Sequence, residues 1–223
     1  MKKILFVLTS HNRKGNTGHA TGFYLPEAAH PWHVLHMDGF EIDFVSPQGG
    51  KPPMEGADSA DAISQQFLEN SDVASKLNDT PTPEKIRSAD YAAIFFVGGH
   101  GAMWDFAENK TLSTIASSIY ESGGIVAAVC HGPAALVNLK LSNGEYLVKG
   151  KQVAAFTDEE ERAIKLDKVV PFLLASTLQH RGAKHIPAPN WQANIIVDQR
   201  LVTGQNPASA VGTGREISRL LQA

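Results

Sequence analysis

Short apolar runs alternate along this chain with amphipathic stretches. The runs fall at residues 4–8, 40–45, 91–97 and 125–129, and more weakly at 152–156 and 195–202. Their near-continuous apolar character is that of strands covered on both faces, since half-exposed strands alternate apolar with polar positions. The last run, IIVDQRLVTG, also reads as a hairpin around Asp198-Gln199, an antiparallel pair near a sheet edge.

The stretches between follow helical spacing. TLSTIASSIYESGG puts Leu112, Ile115 and Ile119 on one face and stops at Gly123-Gly124. VVPFLLASTLQHRG offers Pro171 for a first helical turn and Gly182 as a C-terminal cap. PASAVGTGREISRLLQ presents Val211, Ile217, Leu220 and Leu221 as a docking face. Strands alternating with helices imply βαβ units, so the pattern predicts a doubly wound α/β sandwich with a mostly parallel sheet between helices. Residues 46–90 break the rhythm. They are polar, rich in Pro, Gly, Asp and Ser, and long for a connection, which fits an inserted cap over a site or a solvated excursion.

Composition narrows the class. A chain of 223 residues is long enough for one α/β domain with a complete core, and the expectation is a single domain over residues 1–223 with 46–90 as its insertion. The formal net charge of −3, with scattered Lys and Arg, gives no basic footprint for nucleic acid. The start MKKILFVLTS has an apolar run too short for a signal-peptide core and no prompt cleavage site, so it reads as a first strand. No window approaches a membrane span. The expectation is a cytoplasmic protein.

The one cysteine stands at the end of an apolar run, in GGIVAAVCHGPAAL. GIVAAVC reads as a strand ending at Cys130, and GPAALVN as a helix start with Pro133 in its first turn. A strand–residue–helix junction is the geometry of a nucleophile elbow, whose tip stands at the carboxyl edge of the sheet where α/β folds bind ligands. A helix N-terminus and an adjacent imidazole would lower the thiol pKa. A lone Cys in an apolar strand is otherwise a small buried hydrophobe. The His131-Gly132-Pro133 that follows favours the nucleophile.

The motifs around that junction resemble a known group. AAVCHGPAAL is similar to the elbow of the class I glutamine amidotransferase-like (PfpI) superfamily, and more closely to the glyoxalase III family of the heat-shock-protein-31 type. LTSHN, TGFYLPEAAHPW, GFEIDFVSP, GGHGAMWDF, AAFTDEEE and LVTGQNPASA look like that family too, in the same order and nearly end to end. The resemblance implies a flavodoxin-like fold and a homodimer, with Cys130 as nucleophile and His131 as its acid–base neighbour. It places the triad glutamate at Glu161, with Glu159 and Glu160 as alternatives in the same acidic run. Glu27, in the opening turn of a helix after Pro26, would shuttle protons, its pKa raised by burial. The backbone N–H groups of Gly99 and His131 would form the oxyanion site.

Other readings are weaker. Gly98, Gly99 and Gly101 lack the third glycine of a dinucleotide fingerprint, and no Lys-Ser/Thr pair marks a phosphate loop. His30, His33 and His36 have a helical spacing, but Pro31 interrupts them and no further ligand completes a metal set, so no metal and no cofactor are expected. His100 lines the pocket without a catalytic role, and Trp32, Trp104 and Trp191 are expected mainly in the core. The activity implied is glutathione-independent conversion of a small 2-oxoaldehyde, methylglyoxal, to lactate through a cysteine hemithioacetal. A holding chaperone, a deglycase and a cysteine peptidase are the alternatives. An amidotransferase is disfavoured because GQNPASA carries no histidine where relatives place theirs.

Overall fold

The computed structural model describes residues 2–223. The chain runs through β1 (Lys3–Val7), β2 (Phe23–Tyr24), α1 (Leu25–Met37), β3 (Glu41–Val45), β4 (Met54–Glu55), α2 (Ala62–Glu69) and α3 (Ser71–Asn78). It continues with β5 (Ala93–Phe96), α4 (Ala102–Asp105), α5 (Lys110–Glu121) and β6 (Ile125–Val129). The last third holds β7 (Gln152–Val153), α6 (Asp158–Ala163), α7 (Leu174–His180), β8 (Lys184–His185), β9 (Ile195–Asp198), β10 (Leu201–Gly204) and α8 (Ala210–Gln222).

Six strands form the central sheet in the order β3-β1-β5-β6-β10-β9. All pairings are parallel except β10 with β9, the expected edge hairpin, whose turn includes Gln199 at φ +59°. From β1 the chain moves outward to β3, then returns to build β5, β6 and β10 on the other side, which is the doubly wound arrangement.

Alternation along β1 supplies both faces. Ile4, Phe6 and Leu8 enter one cluster with Trp32, Leu35, Phe67 and Ile217, while Leu5 and Val7 enter the other with Leu112, Ile115, Ile119 and Leu178. Phe6 meets Phe95 edge-on at 4.9 Å and Phe44 at 5.9 Å. Helices α1 and α8 lie against each other over the first face, and Gly214 makes that possible, since a Cβ there would stand 2.8 Å from the Pro31 Cα. Pro31 is accommodated inside α1 rather than ending it.

Several local expectations are corrected. Of the run 152–156, only Gln152–Val153 is strand, and it pairs with β8 away from the central sheet. Helix α7 begins three residues beyond Pro171, because Phe172 and Leu173 are drawn against the core, although Gly182 at φ +89° does close it. The buried face of α8 is Ala210, Thr213, Gly214, Ile217, Ser218 and Leu221, with Val211 and Leu220 flanking it. The segment after Cys130 is a 3-10 turn, Gly132–Leu136, and not an α-helix, with Pro133 at its start as foreseen.

The polar stretch 46–90 divides in two. Helices α2 and α3, capped by Asp61 and Asn70, lay Phe67, Val73 and Leu77 into the core beside α1 and β3. Met54–Glu55 instead pair with β2, and Glu55 and Gly56 reach the cavity at the carboxyl edge of the sheet. Among the described residues no helix is long and apolar enough to cross a membrane.

Candidate active site

Strand β6 delivers Cys130 to the carboxyl edge with φ +59°, a left-handed conformation rare for a residue with a side chain. Such strain concentrates at functional turns. Hydrogen bonds on either side hold it: the Cys130 N–H donates to the Gly204 carbonyl of β10, and the Phe156 N–H to the Cys130 carbonyl. The neighbouring strand β5 is followed, after Val97, by Gly98 and Gly99, both required to lack side chains. A Cβ on Gly98 would meet Glu27 Oε2 at 2.1 Å and Cys130 Cβ at 2.8 Å; on Gly99, at φ +102°, it would strike the Gly22 carbonyl at 2.3 Å.

Of the sequence-predicted residues, Glu27, Gly99, Cys130 and His131 line one cavity of about 290 Å3 together with Tyr24 and His100, and Glu161 stands behind His131. The thiol donates to His131 Nδ1 at 3.3 Å, and His131 Nε2 donates to Glu161 Oε2 at 2.7 Å. A carboxylate only accepts, so Glu161 fixes the Nε2–H tautomer and leaves Nδ1 as the base facing sulfur. Glu161 is therefore the partner among the three glutamates. Glu159 is exposed, and Glu160 is committed elsewhere: it completes the Thr157 capping box and accepts from the Trp191 N–H and Asn206 Nδ2.

The charge states follow from burial. Both oxygens of Glu27 are buried, and among the described residues their only polar neighbour is the Cys130 sulfur, which makes no hydrogen bond of good geometry with them. Desolvation raises its pKa to about 8 despite a lowering contribution from Cys130, so it is mainly protonated at neutral pH. The thiol is also pushed up, first by burial and then by Glu27, with the His131 backbone N–H opposing. This corrects the expectation of a thiol acidified by its turn and imidazole: a five-residue 3-10 segment and a neutral ring do not outweigh desolvation. Burial, then His100, lowers His131 to about 4. Burial would raise Glu161, but hydrogen bonds from the two histidines hold it at about 2. The resting site thus carries a thiol, a carboxylic acid, a neutral imidazole and one carboxylate.

His100 lines the pocket as expected, but its link to Glu161 was not foreseen, and a second contributor was missed altogether. His100 Nε2 donates to Glu161 Oε1 at 2.9 Å, and its ring lies 4.0 Å from that of His131, so one carboxylate orients two imidazoles. Its position just beyond the Gly98-Gly99 turn, at the carboxyl edge, was the available signal. The second is Trp191, which lines the cavity 5.9 Å from Phe156, whereas Trp32 is core and Trp104 stacks on His11. His30 pairs with Asp61, and His36 stacks on Trp32. His100, His131 and Glu161 do bring three potential ligand atoms within 4.8 Å. All three are committed to hydrogen bonds within the group, and an ion there would displace both Nε2 protons.

A Cys-His-Glu relay on a strained elbow, at the carboxyl edge of a doubly wound sheet, defines a cysteine-centred α/β site with a buried carboxylic acid beside the thiol. The chain belongs to the DJ-1/PfpI family, which matches residues 19–220. It is 37% identical to the glutathione-independent glyoxalase HSP31 of Saccharomyces cerevisiae, over 95% of this chain and 94% of that protein. Among solved structures, glyoxalase III of Candida albicans superposes with a TM-score of 0.90 at 31% identity, covering 98% and 97% of the two chains. The Rapid Encystment Protein 24 kDa of Francisella tularensis superposes with a TM-score of 0.95 at 35% identity, covering 99% of each.

Proposed function

We propose that this protein is a glutathione-independent glyoxalase that isomerises and hydrates a small 2-oxoaldehyde such as methylglyoxal to a 2-hydroxy acid. The observation that carries the reading is the protonated, buried Glu27 beside Cys130, itself paired to a neutral His131. Amide hydrolysis needs the thiol and the imidazole but has no use for a second buried acid. Moving a proton between adjacent carbons does.

The steps balance with the groups present. Sulfur attacks the aldehyde carbon; the thiol proton passes to His131 Nδ1, and Glu27 protonates the new hydroxyl. Glu27, now a carboxylate, removes the hydrogen from that carbon, and imidazolium protonates the ketone oxygen, giving an enediol. Glu27 then returns its proton to the second carbon while His131 takes the hydroxyl proton, leaving a thioester. Water adds to the thioester, losing a proton to Glu27, and the departing sulfur recovers its proton from His131. Glu161 stays ionised and stabilises each imidazolium. The Gly99 N–H, which donates to no carbonyl among the described residues, and the His131 N–H are the donors for charge developing on oxygen.

The test is lactate formed from methylglyoxal, without glutathione, by the wild type, Cys130→Ser and Glu27→Gln. Wild-type turnover with both variants at background supports the mechanism, whereas full activity in Glu27→Gln removes the shuttle. The reading includes a cytoplasmic homodimer as its setting, and light scattering at a monomer mass would remove the dimer.

A further inference from the structure

The mouth of the catalytic cavity is built of apolar side chains that the fold holds in place against their own preferences. Five large hydrophobic side chains are exposed among the described residues, and two of them, Ile164 (38%) and Trp191 (49%), line this cavity. Each is tied to a left-handed residue: Trp191 itself has φ +67°, and Lys165, directly after Ile164, has φ +61°. A bulky residue in that region is an outlier held by its surroundings. Here the holder is Glu160, wholly buried, whose Oε1 accepts from the Trp191 N–H at 2.9 Å and from Asn206 Nδ2 at 2.9 Å.

The apolar surface is continuous with the chemistry. The Phe156 ring lies 4.3 Å from that of His131, and Trp191 lies 5.9 Å beyond Phe156. The charges at the mouth are already satisfied: Lys14 pairs with Glu55 at 3.3 Å, and Glu55 also accepts from the Thr21 hydroxyl. The mouth therefore selects for neither charge. The cavity, at about 290 Å3, holds roughly ten water volumes. That leaves room beside the two reacting carbons for a substituent larger than methyl.

We propose that Trp191, with Phe156 and Ile164, forms a subsite for the non-reacting substituent of a 2-oxoaldehyde, and that preferred substrates carry an aryl or bulky apolar group there. The proposal rests on the glyoxalase reading for its reaction. For its recognition it rests only on the mouth itself. Aromatic rings in offset or edge-on contact, with apolar area removed from water, supply the preference.

Initial rates with phenylglyoxal and methylglyoxal test it in the wild type, Trp191→Ala and Trp191→Phe. The wild type should favour phenylglyoxal in kcat/KM by tenfold or more. Trp191→Ala should lower that ratio about tenfold, mainly through the KM for phenylglyoxal, and Trp191→Phe should restore most of it. A wild-type ratio near one, or an equal loss for both substrates in Trp191→Ala, overturns the subsite. Calorimetric binding of mandelate and lactate, the acids the two aldehydes would yield, reads the subsite without turnover. No turnover of either aldehyde, with mandelate still bound tighter and that margin lost in Trp191→Ala, overturns the reaction and supports the subsite. Equal binding of the two acids overturns the subsite whatever the rates.

Discussion

Glu27 shows how a single side chain trades stability for chemistry. Its folded-state pKa of about 8 lies above the ordinary 4.5, so the folded protein holds this proton where the unfolded chain releases it. The contribution to stability is therefore fullest below about pH 4.5 and is lost as pH rises to about 8. At pH 7 the loss is roughly 3 kcal/mol, the group being wholly buried. Glu27→Gln should stabilise the fold at pH 7 by about 1–3 kcal/mol and flatten stability between pH 5 and 8. Urea unfolding across that range would read it, and an unchanged pH dependence would mean that Glu27 ionises freely. The residue type and its place after Pro26 were legible in the sequence. Its complete burial against the thiol was not, because that depends on what Gly98 and Cys130 place around it.

Among the elements, the strands were legible and the short connectors were not. Parallel strands buried on both faces must be apolar throughout, so β1, β5 and β6 stand out as runs. The two-residue strands β2, β4, β7 and β8 carry no periodicity, being fixed by partners distant in sequence. The turn after Cys130 has the proline of a helix start, yet it remains a 3-10 segment. Gly214 belongs to this scale. Replacing a helix-interior glycine by alanine ordinarily gains about 1 kcal/mol. Here the new methyl would stand 2.8 Å from backbone of α1, so Gly214→Ala should destabilise by about 1–3 kcal/mol, seen as a lowered midpoint in thermal unfolding. A raised midpoint would show that α1 and α8 can separate without loss.

The site exists only in the whole molecule, where α1, the ends of β5 and β6, helix α6 and the Trp191 loop meet around one cavity. Its charge states are properties of that assembly, and they set a pH profile. His131, at about 4, must be neutral to accept the thiol proton, and Glu27, at about 8, must hold its proton for the first addition. The kcat/KM for methylglyoxal should therefore rise through pH 4, stay level, and fall through pH 8. A rate still climbing at pH 9 would assign the first step to ionised Glu27 instead.

What the sequence determined by itself is what local pattern can carry. Apolar runs and helical spacing define the doubly wound sheet, and a cysteine at the end of one run, followed by His-Gly-Pro, marks the elbow. The tertiary structure decided the rest. Glu161 was one of three glutamates until the fold set its carboxylate between two imidazoles, and the thiol's protonation reversed once burial was known. Trp191 became part of the site only when Glu160, 31 residues away, held its backbone at the cavity mouth. Periodicity reports which face of an element is buried, whereas desolvation and hydrogen-bond partners depend on distances between residues far apart in the chain, and these are set only when the elements pack.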